Sequence, residues 1–238
     1  MKTVLITGAN KGIGFETAKQ LAQSGYFVYA GSRDKAKGAD AIKRLNGLGI
    51  SNAAFVELDV TNIDSIEKAK QALEAKIGSL DVLINNAGIS GGQTQNLSSI
   101  KMDDLRKVFD TNFFGAVQTT QQFIPLLKKS NTPRIVNVSS GLGSLTIHSD
   151  TQNSNYKIYD AYSCSKTALN AFTVMLAYEF SGANFRINSV TPGYTATGLN
   201  QFKGPQTVEQ GARAIVRYAT TTEGVTGKFF KEEGEIAW

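Results

Sequence analysis

Short apolar segments recur along the chain and alternate with longer segments in which apolar residues return every three or four positions. The short segments predict buried strands, and the longer ones predict amphipathic helices. The predicted strands are residues 4–7, 27–32, 54–58, 82–85, 134–138, 187–190 and 227–230. The predicted helices are residues 12–24, 35–48, 63–77, 101–128, 159–180 and 207–220.

This alternation predicts the class of fold. Strands that alternate with helices build βαβ units, whose right-handed crossovers give a parallel sheet covered by helices on both faces. We therefore predict a single α/β domain over residues 1–238, a doubly wound Rossmann fold of about seven parallel strands. Loops 90–99, 141–157 and 198–206 each follow a strand, so we expect them to border one substrate cleft.

Composition excludes several functions. No apolar run approaches the ~20 residues that a helix needs to cross a bilayer, and the first strand starts so early that we expect no signal peptide. The chain has one cysteine, Cys164, and one histidine, His148, which leaves no internal disulfide and no plausible zinc cluster. We therefore expect a cytoplasmic protein with no metal and no membrane partner.

The net charge is +5, but the lysines are spread among acidic residues and form no dense basic block. We therefore expect no nucleic-acid partner. A modest positive excess also suits a protein that holds an anionic cofactor.

A glycine-rich turn joins the first predicted strand to the first predicted helix. It reads Thr7-Gly8-Ala9-Asn10-Lys11-Gly12-Ile13-Gly14. Glycine permits a tight turn and close approach of a ligand, and the start of a helix presents unpaired N–H groups to an anion. The spacing Gly-x-x-x-Gly-x-Gly differs from the commoner dinucleotide fingerprint Gly-x-Gly-x-x-Gly. The turn predicts a phosphate site, with tight packing as the alternative reason for its glycines.

A second group of residues offers proton-transfer chemistry. Tyr162 and Lys166 are four residues apart in a predicted helix, so they project from one face. An ammonium beside a tyrosine lowers the pKa of the hydroxyl from about 10, which makes the pair a usable general acid or base. Ser139 and Ser140 end the preceding strand, where a hydroxyl can donate to a developing oxyanion. The alternatives are a core tyrosine beside an exposed lysine, and a serine that caps a turn.

Together these pieces resemble the short-chain dehydrogenase/reductase family over essentially the full length of the chain. The matching pieces, in family order, are Thr7-Gly8-x-x-x-Gly12-x-Gly14, Asp59-Val60, Asn85-Asn86-Ala87-Gly88, Asn112, Ser140, Tyr162-x-x-x-Lys166 and Pro192-Gly193. The first turn and the segment 227–238 look most similar to the carbonyl reductase branch. One feature departs from that branch: its vertebrate members carry a long insertion before the catalytic tyrosine, whereas only 21 residues separate Ser140 from Tyr162 here.

The resemblance implies hydride transfer between a nicotinamide cofactor and a carbonyl carbon. Tyr162 would protonate the carbonyl oxygen, and Ser140, rather than Ser139, would hold it. Lys166 would lower the tyrosine pKa, and Asn112 would hold a water that links Lys166 to solvent. Asparagine disfavours a helix interior, so we expect a local break at Asn112. The implied cofactor-binding residues are Gly8, Asn10, Lys11, Gly12, Ile13, Gly14, Arg33, Asp59, Val60, Asn86, Ala87, Gly88, Tyr162, Lys166, Pro192, Gly193 and Thr197.

The end of the second strand bears on the choice of cofactor. An acidic residue there would bind a ribose 2′-hydroxyl and select NAD, but the position that the family uses for that acid is Ser32. Arg33 follows and can pair with a 2′-phosphate, and Lys11 adds a second cation. Asp34 is the counter-evidence, because a carboxylate lies close by. We expect NADPH, with NADH as the less favoured alternative.

The predicted activity is therefore reduction of a small-molecule ketone or aldehyde. The alternatives are an NAD-dependent alcohol dehydrogenase of the same family, a sugar-nucleotide epimerase or dehydratase, and a dinucleotide-binding regulator without activity. The apolar residues Ala161, Ala168, Leu169, Phe172, Met175 and Leu176 of one helix, together with residues 229–238, predict surfaces for a homodimer or homotetramer. Trp238 folding over its own substrate cleft is the alternative to the second interface.

Overall fold

One sheet of eight strands organises the chain, of which the computed structural model describes residues 1–92, 95–150 and 159–238. The strands lie in the order β3-β2-β1-β4-β5-β6-β7-β8. They are β1 (Thr3–Ile6), β2 (Phe27–Ser32), β3 (Ala53–Glu57), β4 (Val82–Asn85), β5 (Arg134–Val138), β6 (Arg186–Val190), β7 (Phe229–Lys231) and β8 (Gly234–Glu235). The first seven are parallel, as predicted, and β8 pairs antiparallel with β7. The sequence missed β8 because two residues carry no periodicity.

Helices cover both faces of the sheet, which confirms the doubly wound α/β fold. They are α1 (Gly12–Gln23), α2 (Lys35–Gly47), α3 (Ile63–Glu74), α4 (Met102–Phe109), α5 (Gly115–Leu127), α6 (Leu145–Ser149), α7 (Asp160–Glu179) and α8 (Val208–Thr220). One core joins α1, α2 and α8 to the sheet, and the other joins α3, α5 and α7 to its opposite face. Because every central strand is covered twice, the strands are continuously apolar, as the sequence pattern indicated.

The order of the strands places the candidate site. Strands β2 and β3 are added on one side of β1, and the strands from β4 onwards are added on the other side. The order of the strands therefore reverses between β1 and β4, which lie side by side at the centre of the sheet. In doubly wound sheets the carboxyl ends of the strands leave a crevice at this reversal, and ligands bind there. The glycine-rich turn after β1 and the Asn85-Asn86-Ala87-Gly88 segment after β4 meet at this crevice.

The predicted helix 101–128 is wrong as a single element. A π-helical turn, Asp110–Phe114, separates α4 from α5, and the N–H of Gly115 donates to the carbonyl of Asp110, five residues back. The expected local break at Asn112 is therefore present, as a wider turn rather than an interruption. Such turns occur often at functional sites.

The predicted loop 141–157 is partly helical. Its described part, residues 141–150, contains a 3₁₀ turn, Gly141–Gly143, followed by α6; residues 151–157 lie outside the described residues. The end of the chain holds this segment: the Thr146 N–H donates to the Trp238 carbonyl (2.7 Å), and the Ser144 hydroxyl donates to the Ala237 carbonyl (2.9 Å). Short helices of this kind carry too few periodic positions to be found from a sequence.

The surfaces expected to join copies of the chain are smaller than predicted. Of the α7 residues proposed for an interface, Ala161, Leu169 and Leu176 are buried within the chain, whereas Met175 is 65% exposed. At the chain end, Phe229 and Phe230 are core residues, and the Trp238 ring stacks on Phe229 with centroids 5.5 Å apart. Trp238 thus packs on its own chain, but it does not line the cavity described below, so its alternative position over the substrate cleft is not the one found.

Candidate active site

The glycine-rich turn forms a cradle at the start of α1. Gly8 and Gly12 adopt positive φ values of 66° and 57°, which side chains disfavour. A Cβ on Gly14 would lie 2.4 Å from the Asn86 Nδ2 atom, so this glycine lets the turn and the segment after β4 pack together. No side chain in the described part of the chain caps α1, and its first N–H groups are therefore available to an anion. The residues present fit the phosphates of a dinucleotide.

Asn86 fixes the cradle from the other side. Its side chain donates to the carbonyls of Thr7 (2.9 Å) and Gly8 (3.1 Å), and the Thr7 hydroxyl accepts from the backbone N–H groups of Asn86 and Ala87 (both 2.9 Å). These four hydrogen bonds lock the turn after β1 to the segment after β4. Asn86 is thus a brace of the site as well as part of its wall.

Arg33 and Asp34 at the end of β2 differ in their surroundings. The Asp34 carboxylate accepts from the Lys37 N–H (3.0 Å) and pairs with the Lys37 ammonium (3.0 Å); these contacts lower the pKa of Asp34 and make it the N-cap of α2. The buried Ser32 hydroxyl donates to the Asp34 carbonyl. Arg33 lines the cavity at this point, and Asp34 does not.

The middle of the crevice is formed by the segment after β3. The Asp59 carboxylate accepts from the Thr61 N–H (3.0 Å) and hydroxyl (2.8 Å), which shapes the turn that follows. Val60 is buried, and its carbonyl accepts from the Gln118 side chain. Asp59 and Val60 both line the cavity, as the resemblance implied.

Ser140, Tyr162 and Lys166 converge at the far end of the crevice. Ser140 follows β5, and its side chain accepts from the Leu142 N–H (3.2 Å) and lies near enough to the Tyr162 hydroxyl to oppose the rise of its pKa. Tyr162 and Lys166 project from the first two turns of α7, with the Lys166 Nζ 5.7 Å from the centre of the tyrosine ring. Ser139 lines the cavity as well, but only 2% of it is exposed. The choice of Ser140 over Ser139 stays a prediction.

Burial dominates the protonation of the pair. It raises the pKa of Tyr162 to about 12, against the opposing effect of the Ser140 hydrogen bond, and lowers the pKa of Lys166 to about 8. The expectation that Lys166 would lower the tyrosine pKa is wrong for this arrangement. The Lys166 ammonium donates to the Val138 carbonyl (2.7 Å), and burial of the Tyr162 hydroxyl has the largest effect on its pKa. At pH 7 Tyr162 therefore carries its proton, and Lys166 is mostly charged.

Asn112 lies behind the cavity wall rather than on it. Its side chain accepts from the Ile89 N–H (2.8 Å) and donates to the Ile89 carbonyl (2.9 Å) and to the Ser165 hydroxyl (3.0 Å). The residue is buried in the π turn and links the segment after β4 to α7. A Cβ on Gly88 would lie 3.3 Å from the Asn112 Oδ1 and 3.6 Å from the Lys166 Nζ, so this glycine admits both side chains.

Residues after β6 close the crevice. Gly193 has a φ of 73°, and a Cβ there would lie 2.5 Å from the Gln206 Oε1. The Thr197 hydroxyl accepts from the Leu199 N–H (3.3 Å) and starts the 3₁₀ turn Gly198–Asn200. The cavity is lined by Pro192, Gly193 and Thr197, so this segment borders the same cavity as Tyr162.

A single cavity of about 520 Å³ unites these segments. Every implied site residue lines it except Asn112; those residues are Gly8, Asn10, Lys11, Gly12, Ile13, Gly14, Arg33, Asp59, Val60, Asn86, Ala87, Gly88, Ser140, Tyr162, Lys166, Pro192, Gly193 and Thr197. The sequence did not assign the apolar residues that line the end of the cavity near Tyr162, namely Ile89, Leu142, Tyr159, Tyr194 and Leu199. These residues lie in loops, in short 3₁₀ turns or at the start of a helix, where periodicity does not show which side chains face a cavity.

A dinucleotide cradle in one cavity with a Ser-Tyr-Lys group defines an oxidoreductase built on the Rossmann fold. The sequence profile of the short chain dehydrogenase family matches residues 2–207, and the chain belongs to this family. Two similar proteins of known class illustrate its relatives within the family. It is 38% identical to the short-chain dehydrogenase anuI of Penicillium roqueforti, with 99% of this chain and 97% of the relative covered. It is 34% identical to a (+)-neomenthol dehydrogenase of Capsicum annuum, with 95% and 94% covered.

The solved structures include an NADPH-bound carbonyl reductase from chicken fatty liver. It superposes with a TM-score of 0.87 at 28% identity, over 100% of this chain and 99% of that one. These similarities confirm the resemblance inferred from the motifs, including its carbonyl reductase branch. Among residues 1–92, 95–150 and 159–238, no cluster of metal-binding side chains and no helix suited to crossing a membrane is found.

Proposed function

We propose that the protein is an NADPH-dependent carbonyl reductase in which Tyr162 is the general acid. The observation that carries this proposal is that Ser140, Tyr162 and Lys166 line the same cavity as the glycine cradle, with Lys166 beside the tyrosine ring. The dinucleotide, when bound, supplies a hydride for the carbonyl carbon. Gly12, Gly14 and the start of α1 would hold its phosphates.

The protein's own groups perform the proton chemistry. Tyr162 is protonated at neutral pH because burial raises its pKa to about 12, so it can give its proton to the carbonyl oxygen. The Ser140 hydroxyl donates a hydrogen bond to the same oxygen as negative charge develops on it. The Lys166 ammonium stabilises the tyrosinate that remains, and its pKa of about 8 keeps it mostly charged at pH 7. We propose that Asn112 holds a water that links Lys166 to solvent, the route by which Tyr162 regains the proton that it gives up.

The cofactor preference rests on the end of β2. Asp34, which would be the competing carboxylate for a ribose hydroxyl, is already engaged as the cap of α2 and by Lys37. Arg33 lines the cavity, and Lys11 lies in the cradle. A 2′-phosphate between two cations is favoured over a hydroxyl there, which supports NADPH over NADH. The NADPH named for the chicken carbonyl reductase agrees with this choice.

The substrate that suits the cavity is a ketone or aldehyde on an apolar skeleton. The wall near Tyr162 is formed by Leu142, Tyr159, Tyr194 and Leu199, with Phe202, 73% exposed, at its rim. A neomenthol dehydrogenase among the similar proteins fits such a wall. Assays of apolar and polar ketones with NADPH and NADH would test both halves of the proposal. The cytoplasmic location expected from the single cysteine stays a prediction.

Replacing the hydroxyl of Tyr162 tests the chemistry directly. Tyr162→Phe should lower kcat for ketone reduction by about 10²–10⁴-fold, with the affinity for NADPH nearly unchanged. Tyr178→Phe is the matched control, because Tyr178 lies on the same helix and is 80% exposed. A Tyr162→Phe enzyme that keeps more than half of the wild-type kcat, under conditions where chemistry limits the rate, would show that Tyr162 is not the acid.

A further inference from the structure

Gln95 is a buried polar side chain that the proposed chemistry does not use. It is 1% exposed, and its amide makes three hydrogen bonds. The Oε1 accepts from the backbone N–H of Tyr162 (3.1 Å), and the Nε2 donates to the carbonyls of Ser90 (2.6 Å) and Gly92 (2.9 Å). This orientation of the amide is the one that satisfies all three partners.

The bond to Tyr162 caps the first turn of α7, which the side chain of its N-cap residue does not do. Tyr159, which precedes the helix, makes no side-chain hydrogen bond to its first turn. Tyr162 is the third residue of α7, and the N–H of that position is one of the four that a helix cannot satisfy internally. Gln95 therefore caps the helix from a different segment of the chain, at the residue that carries the reacting hydroxyl.

The other two bonds tie the cap to the cavity. Ser90 lines the cavity, and Gly91 between the two acceptor carbonyls has a φ of 83°. A Cβ on Gly91 would lie 3.3 Å from the Gln95 Nε2 and 2.9 Å from Val108 of α4. The backbone of residues 90–92 thus packs closely against the Gln95 amide and restricts the position of this side chain.

We propose that Gln95 is a positioning residue that holds the first turn of α7 against the segment after β4, so that the Tyr162 hydroxyl stays beside Ser140. The inference rests on the proposed role of Tyr162 as the acid. Displacement of a reacting group by about 1 Å costs on the order of 10²-fold in rate. Loss of the three bonds should therefore impair the chemical step without touching the cradle that binds the cofactor.

The test compares Gln95→Met, which keeps the length of the side chain and removes its hydrogen bonds, with Asn52→Leu. Asn52 is the matched control because its amide also donates to two carbonyls, those of Ala22 (2.8 Å) and Tyr26 (2.7 Å), far from the cavity. Turnover is expressed per NADPH-binding site, counted by fluorescence titration, so that misfolded protein is not counted. Gln95→Met should lower this kcat by about 10–100-fold with an unchanged NADPH Kd, and Asn52→Leu should leave both unchanged.

The pH profile separates positioning from a merely structural role. In the described part of the chain, Ser140 and Lys166 are the polar groups found beside Tyr162, and Ser140 lowers its pKa. If Gln95→Met displaces the hydroxyl from Ser140, the limb of the reduction profile that reports Tyr162 should move to higher pH. An unmoved limb, or an unchanged kcat per binding site, would overturn the proposal.

Two further outcomes are decisive. Gln95→Ala is measured in parallel, and failure of both variants to fold would assign Gln95 to the stability of the fold rather than to positioning. Tyr162→Phe is included as the reference. Should it keep the wild-type rate, the proposed function fails and the role of Gln95 fails with it. Should it lose the rate while Gln95→Met keeps it, only the role of Gln95 fails.

Discussion

Lys166 should make the protein less stable at neutral pH while it supports activity. The residue is 4% exposed, and burial lowers the pKa of its ammonium from 10.5 to about 8. Each pKa unit corresponds to 1.36 kcal/mol, so holding the charged form in the folded protein at pH 7 costs about 3 kcal/mol. Lys166→Met removes this cost and also removes the hydrogen bond to the Val138 carbonyl, which contributes about 1 kcal/mol. We therefore expect the variant to be more stable by about 2 kcal/mol at pH 7.

The sign of this difference should change with pH. Between pH 8 and 10.5 the unfolded chain binds a proton at Lys166 that the folded protein does not, so the wild-type free energy of unfolding rises relative to that of the variant. The two stability curves should cross at about pH 9.8, where the remaining cost equals the contribution of the hydrogen bond. The raised pKa of Tyr162 lowers stability between pH 10 and about 12, but it acts on both proteins and cancels in the difference.

Urea denaturation followed by circular dichroism at several pH values from 6.5 to 10.5 measures this difference. Cofactor is omitted, because a ligand that binds the folded state adds its own stabilisation. Lys43→Met, at an exposed position of α2, is the control and should change stability by less than about 0.5 kcal/mol at each pH. The reasoning is refuted if Lys166→Met is the less stable protein at pH 7, or if the difference is the same at pH 7 and pH 10.5. Ketone reduction by Lys166→Met should fall by more than about 10²-fold.

Three further predictions concern the cofactor, the chain end and assembly. Arg33→Ala should weaken NADPH about tenfold and leave NADH nearly unchanged in fluorescence titrations, and equal losses would show that Arg33 does not contact the 2′-phosphate. Trp238→Ala removes the ring stacked on Phe229 and should loosen the segment that holds α6, which raises the KM for ketones several-fold; an unchanged KM would separate the chain end from the substrate. Light scattering at micromolar concentration should give two or four times 25.6 kDa, because Met175 and Tyr178 leave an apolar patch on α7; the mass of one chain would contradict this.

The fold could be predicted because burial on both faces of a parallel sheet leaves a strong signal. Every parallel strand was found within two residues of its observed bounds, and both layers of helices were found. The errors fall where the signal is short or ambiguous. β8 and α6 are too brief to show a period, and the apolar spacing runs through residues 101–128 without a change of phase, so nothing in it marks a wider turn.

The outline of the site could be predicted because the types of its residues and their spacing along the chain indicate their chemistry. Glycines that accept positive φ, and a tyrosine one turn from a lysine, can be recognised in a sequence. The balance of energies at the pair could not be predicted, because it depends on how deeply the Tyr162 hydroxyl is buried. Gln95 was missed for a similar reason: its partner is 67 residues away, and a lone glutamine in a polar loop gives no indication of a cap on a distant helix.

Because of the π turn at Asp110–Phe114, the direction of the Asn112 side chain depends on the number of residues in this stretch as well as on their identity. Such a turn contains one residue more than an α-helix would use for the same turn, and each residue of an α-helix turns the chain by about 100°. Removal of a single residue, such as Phe113, would restore a regular helix and rotate everything before it relative to α5. The Asn112 side chain would then leave Ile89, although no residue that touches Ile89 had been replaced. When sequences of this family are aligned, a one-residue gap in this stretch therefore marks a change in the direction of the asparagine, even where the asparagine itself is retained.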